Sequence, residues 1–352
     1  AYYPSSIRGV AVKPSATRSY EIGTSMHFLQ NRLKFDLTYY NKRYYNLTRS
    51  AGISNASGFN STLINIDEEY VGKGVEIMIS GDILRGGDWN WTSSINWARD
   101  RWKYTKIDPL YSTQKPWVKA GERWDWYSVY DWERDSNGNL IHYNGFPKRS
   151  AYEKKIGHTY PDWTLGWSNV ISYKNFTLSF SIDGRIGGIG HSYTEQAMWN
   201  SGVHIDSDNQ WRYDEVVNGK KNFVGEGVKI VSGSVEYDAD GNITRDDRVF
   251  ASNDVPVSYE VYMRGMNPYI GTVVRQNVFD KTFFKLRDLS LTYQVPTSLC
   301  SKLGLKGSSL SLVGQNLLIW TKEFRFADPD AASDNLASPS IRYVGFNVKL
   351  DF

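Results

Sequence analysis

Hydrophobic side chains recur at every second position in nine separate segments of this chain, and that period restricts what it can fold into. The last ten residues, YVGFNVKLDF, show it plainly. Val344, Phe346, Val348, Leu350 and Phe352 fall on one side of an extended backbone, and Gly345, Asn347, Lys349 and Asp351 on the other. RLKFDLTYY (32–40) groups Leu33, Phe35, Leu37 and Tyr39, and GVEIMIS (74–80) groups Val75, Ile77 and Ile79. WNWTSSINW (89–97) groups Trp89, Trp91, Ile95 and Trp97; DWTLGWSNVIS (162–172) groups Trp163, Leu165, Trp167 and Ile171; NFTLSFSID (175–183) groups Phe176, Leu178, Phe180 and Ile182. Residues 286–295 and 308–319 repeat the pattern, and 19–29 carry a weaker version.

In the clearest of these segments the apolar face carries no charge. Lys34, Asp36, Glu76, Asn90, Asn96, Asp183, Lys349 and Asp351 all lie on the other face. A bilayer imposes this separation, because a Lys or Arg on the lipid face near the midplane costs roughly 2–4 kcal/mol. A water-soluble sandwich also alternates, so the connections decide. They run short at 30–31, long at 49–70, short at 85–88, long at 107–161, short at 174–175 and very long at 188–282. An intermediate stretch at 296–307 and a longer one at 320–340 follow. Short turns at one end and long loops at the other describe an outer-membrane barrel, with periplasmic turns and extracellular loops.

The expected fold is therefore all-β: a transmembrane antiparallel β-barrel of about nine strands. Such barrels have even strand numbers in bacteria. An odd count makes 1–352 the C-terminal part of a larger barrel, with the final strand closing it so that no edge is left in lipid. A complete passive porin-like barrel with one more strand, and a soluble carbohydrate-binding β-sandwich, are the alternatives. AYYPSSIRGV shows no leader, which leaves removal of one or an interior start.

Composition agrees. A net charge of +3 gives no pull towards nucleic acid, and a single cysteine, Cys300, excludes an intrachain disulfide framework. Aromatics make up 15% of the chain. Many gather where strands meet connections (Tyr39, Tyr40, Tyr44, Tyr45, Trp97, Trp102, Trp163 and Trp167), as an interfacial girdle requires.

No enzyme constellation is present. The five histidines are scattered without metal-ligand spacing, and the Gly-rich GRIGGIGHSY opens no βαβ unit. YDADGN offers Asp238, Asp240 and Asn242 as weak calcium candidates, and DSNGN (135–139) is similar, although Asp-Gly and Asn-Gly are stronger signals for turns. Residues 115–135 hold the best substrate candidates: Trp117, Trp124, Trp126, Tyr130, Asp131 and Trp132. Flat rings beside charged groups suit sugar rings. Trp199 and Trp211 form a second, weaker group.

Taken in order, several segments resemble SusC-like TonB-dependent transporters of Bacteroidetes-type bacteria. RLKFDLTYYNKRYYNL looks like that family's strand ending in Tyr-Asn-Lys. NIDEEYVGKGVEIMISGDIL is similar to its Gly-Val-Glu segment, with Gly72 where Asn is usual. YPDWTLGWSNVISYKNFTLSFSIDGRIGG, FFKLRDLSLTYQVP, GQNLLIWTKEFRFADPD (with Asp330 where Glu is usual) and the closing YVGFNVKLDF follow in the family's order. The resemblance covers nearly the whole chain. It implies a 22-stranded barrel whose plug and TonB box lie outside this sequence, and energy from TonB–ExbB–ExbD. It also implies a SusD-like lipoprotein seated on the extracellular loops, allows a dimer of transporter–lipoprotein pairs, and points to import of a nutrient, oligosaccharide first and peptide second. No cofactor is implied.

Overall fold

The computed structural model describes residues 5–9, 11–268, 275–331, 334 and 340–352. Nine long strands form one antiparallel sheet in which each strand pairs only with its sequence neighbours in that sheet: β1 (Ala16–Phe28), β2 (Leu33–Tyr45), β3 (Glu69–Gly86), β4 (Trp89–Lys106), β5 (Trp163–Tyr173), β6 (Phe176–Ile186), β7 (Phe283–Gln294), β8 (Gly307–Thr321) and β9 (Tyr343–Asp351). All nine expected segments are strands, joined by alternately short and long connections. At the β3–β4 turn, Gly86 and Gly87 take φ of 121° and 64°, values that a side chain would make costly. Lys174 and Asn175 alone separate β5 from β6.

The register carries each apolar stripe across the sheet. Leu37, Ile77, Trp97 and Leu165 are successive cross-strand partners, as are Ile171, Leu178, Leu291, Leu312 and Phe346. Among the described residues no second sheet covers this face: Leu312, Phe346 and Val344 are 57%, 63% and 71% exposed. A sandwich would have buried them, so the soluble alternative fails on geometry.

Two polar residues interrupt the stripe. Asn169 and Ser93 are cross-strand partners on the outward face. Trp91 Nε1–H donates to Asn169 Oδ1 at 3.0 Å and Trp167 Nε1–H to Ser93 Oγ at 2.9 Å. The indoles supply partners for Asn169 Oδ1 and Ser93 Oγ that hydrocarbon cannot, while Asn169, only 2% exposed, keeps its Nδ2 without a hydrogen-bond partner among the described residues.

β2, β3 and β4 run further at the long-loop end than their apolar periods do, because ladder pairing continues after contact with lipid has ended. The long connections are also structured. A hairpin joins Trp126–Trp132 to Arg149–His158, and a four-stranded sheet joins Phe146–Pro147, Ile141–Tyr143, Val228–Ser232 and Val249–Ser252. Among the described residues, three short α-helices lie in the 187–282 connection: α1 (Tyr193–Ser201), α2 (Gln210–Asn218) and α3 (Tyr259–Met266). A fourth, α4 (Thr297–Lys302), bridges β7 and β8. The parts within the long connections form a cap at the long-loop end, whereas α4 lies at the short-turn end beside Asn175. None of the described helices is long and apolar enough to cross a membrane.

Candidate functional site

Alternation gives each strand an inner face opposite the apolar one. On β2 it carries Asp36, Thr38, Tyr40 and Tyr44; on β4 it carries Asn96, Asp100 and Trp102. Tyr40, Tyr44 and Trp102 therefore do not belong to an outward girdle. Only Tyr39, Tyr45, Trp97, Trp163 and Trp167 of that expected set share the lipid-side parity. Two glycines make room for the inward rings. A Cβ on Gly74 would lie 2.2 Å from the Tyr40 ring, and one on Gly72 would lie 2.5 Å from the Trp102 ring.

The inward rings join loop residues into a stack. Tyr44 and Tyr70 lie 5.2 Å apart with planes at 21°, Tyr70 and Trp124 5.3 Å apart at 29°, and Trp124 meets Tyr160 edge-on at 5.8 Å. Trp102 abuts Tyr44 at 5.2 Å and donates its Nε1–H to Asp100 Oδ2 at 2.6 Å. The result is an aromatic wall running from the barrel interior into the cap. Of the expected site residues it includes Trp124. Tyr44, Tyr70, Trp102 and Tyr160 were missed, although the parity of Tyr44 with Asp36 and of Trp102 with Asn96 already marks their facing.

The remaining candidates are dispersed. Trp117 packs edge-on against Trp126 at 5.7 Å, and Trp126 Nε1–H reaches Tyr104 Oη at 3.4 Å. Trp132 is buried. Tyr130 lies under the Arg149 guanidinium at 5.0 Å. Asp131 and Trp132 border a cleft of about 630 Å³ with Arg275 and Phe279. Trp199 stacks on His204 at 4.0 Å and lines a cavity of about 200 Å³ with Arg212, Tyr259 and Met263. Trp211 leans on Phe223 and stays exposed. Sequence proximity within 115–135 thus does not make one site, because the hairpin sends neighbouring rings to different sides.

A charged cluster sits where β7 meets the β8–β9 connection. Lys285, 2% exposed, pairs with Asp328 and lies 3.4 Å from Asp330. Arg287 bonds Asp183 at 2.6 Å and also Asp330. Burial opposes ionisation of Asp328, yet hydrogen bonds from Lys285 and Ser340 hold its carboxyl below the usual carboxylate range. The Asp328-Pro329-Asp330 segment is pinned to the inner wall by these contacts.

The calcium candidates have other partners. Asp238 Oδ1 accepts the N–H groups of Asp240 and Asn242, and Oδ2 accepts Asn242 Nδ2 at 2.9 Å. Asp135 repeats the arrangement with Asn137 and Asn139. Both loops are Asx-closed turns, with Gly241 and Gly138 at φ of 82° and 86°. Among the described residues no group of three His, Cys, Asp or Glu is placed to hold a metal ion.

No protein-family model matches the chain. TonB-dependent receptor P3 of Formosa agariphila is 22% identical over 97% of this chain, and TonB-dependent receptor P26 of the same organism is 21% identical over 90%. Over nearly its whole length this chain is similar to the barrel portion of TonB-dependent receptors. It spans about a third of the length of those curated relatives, 33% and 31%. The solved RagAB peptide transporter superposes with a TM-score of 0.64 at 19% identity, covering 96% of this chain and 35% of that one. The RagAB peptide importer in its open-open state gives 0.64 at 20% identity, with 96% and 34% coverage. These likenesses give the chain the fold of outer-membrane barrel transporters. In this setting the outward stripe meets lipid, and the aromatic wall faces the lumen and its mouth.

Proposed function

We propose that the full receptor containing this chain imports a nutrient across the outer membrane with energy from TonB. A SusD-like surface lipoprotein would sit on the long connections as its partner. Oligosaccharide is the first cargo class and peptide the second. The aromatic wall is the observation that carries this reading. Its rings, all but Tyr160 half-buried, include Trp102 seated over Gly72, and they are flanked by Asp100 and the Arg123–Asp125 pair. Flat faces beside fixed charges bind the apolar face of a sugar ring or an extended peptide at low ordering cost. The solved RagAB structures are of a peptide transporter and a peptide importer, which supports peptide as the second class.

The test is uptake by cells carrying the full receptor. Tyr70→Ala combined with Trp124→Ala should lower import of labelled oligosaccharide about tenfold, the equivalent of roughly 1.4 kcal/mol, with receptor abundance unchanged. Deleting TonB should abolish import. Uptake that persists without TonB would overturn energised import in favour of a passive pore.

A further inference from the structure

At the long-loop end, the outward face of β1–β4 changes from apolar to basic over three successive rows. The first row holds Ile22, Tyr39, Val75 and Arg99; the second Tyr20, Asn41, Lys73 and Arg101; the third Arg18, Arg43, Val71 and Lys103. Arg43 is paired with Glu69 and Arg101 with Asp162. Arg18, Lys73, Arg99 and Lys103 are exposed and have no acidic partner among the described residues. The next row towards the short turns is Thr24, Leu37, Ile77 and Trp97, so the cations directly adjoin the lipid-facing stripe. On β5–β8 the same end of the outward face stays apolar, with Trp163, Ile186, Phe284 and Trp320. The basic patch is thus confined to four neighbouring strands.

We infer that this patch binds the phosphate-bearing head groups of outer-leaflet lipid. Continuity with the hydrocarbon-facing stripe selects lipid over a soluble partner, because a head group is what occupies the level next to the acyl chains. Neighbouring strands lie about 5 Å apart, and same-face residues follow one another at about 7 Å. That grid of unpaired cations matches a head group carrying more than one phosphate. Lys and Arg near a membrane surface attract anionic lipid in this way.

The experiment uses the full receptor in phosphatidylcholine nanodiscs containing a minor fraction of bisphosphorylated lipid A, with retained lipid counted by native mass spectrometry. Wild type should retain lipid A but not its dephosphorylated form, and added inorganic phosphate should not displace it. Lys73→Glu with Arg99→Glu should retain roughly tenfold less. The milder Arg18→Gln with Lys103→Gln should reduce retention in the same direction, and heat-modifiable gel migration should show both variants folded. Equal retention by folded variants, equal retention of dephosphorylated lipid, or stripping by inorganic phosphate would each overturn the assignment. The inference requires only that this face meets lipid. Import by the variants should be unchanged, so its failure would leave the transport reading intact.

Discussion

Glu195 shows how one residue can set the pH response of the cap. It lies in the first turn of α1, 6% exposed, with Oε1 3.4 Å from His204 Nε2 and Oε2 without a hydrogen-bond partner among the described residues. Burial pushes its carboxyl from the usual 4.5 up to about 7, while Arg325 pulls the other way. His204 Nδ1 accepts the Asp206 N–H at 3.1 Å, and burial holds the ring below the usual imidazole range, favouring the neutral form. The folded chain therefore holds the Glu195 proton more tightly than the unfolded chain does. Cap stability should fall as pH rises from about 4.5 to about 7 and stay at the lower level above that. Glu195→Gln should remove this loss, slowing hydrogen exchange across residues 193–207 at pH 8 by the equivalent of about 1–3 kcal/mol. At pH 4 the two proteins should exchange alike. A Gln variant no better protected at pH 8 would contradict the assignment. Nothing local in the sequence marks Glu195, because its burial comes from residues distant along the chain, Phe326 among them through His204.

The strands are the level at which the sequence is most legible. Leu178 faces outward between Ile171 and Leu291. Ser179 faces inward, its Oγ 2.8 Å from Ser290 Oγ. Leu178→Arg should block membrane assembly, at a cost of roughly 2–4 kcal/mol in lipid, whereas Ser179→Arg gives up one hydroxyl contact and should assemble normally. Heat-modifiable migration of membrane fractions distinguishes them, and similar effects would contradict the facing. Alternation made this pair readable before any coordinates, because a period of two residues needs no partner to define a face. Alternation did not reveal why Asn169 is tolerated on the lipid side. That depends on Trp91 arriving from the neighbouring strand with its N–H aimed at Oδ1. Nor did it show that Tyr44 and Trp102 meet Tyr70, which in turn stacks on Trp124 from the long connection.

At the scale of the molecule, sheet and cap are built by different rules. The sheet is a meander of sequence neighbours. The cap is knitted from distant segments: Ile141 and His142 pair in parallel with Val228 and Lys229, Ile141 is fully buried, and His142 Nε2 lies 3.0 Å from Tyr262 Oη. Arg248 ties both long connections together by bonding Glu133 at 2.6 Å and Asp246 at 2.7 Å. Ile141→Asp, which buries an unpaired carboxylate, should therefore raise hydrogen exchange in 228–232 and 249–252 as well as around 141, while β5–β8 stay protected. Loss of protection confined to residue 141 and its immediate neighbours would show that the two connections fold independently.

The sequence by itself determined the strands, their facing and the sorting of connections by length, because each follows from a two-residue period and from lipid rejecting charge. Tertiary structure alone decided which rings meet on the inner wall, which carboxylates are buried and how the long connections interlock. Those outcomes depend on register between strands and on contacts between segments more than a hundred residues apart, such as the His142–Tyr262 bond with its separation of 120 residues. A local pattern carries no record of such a separation.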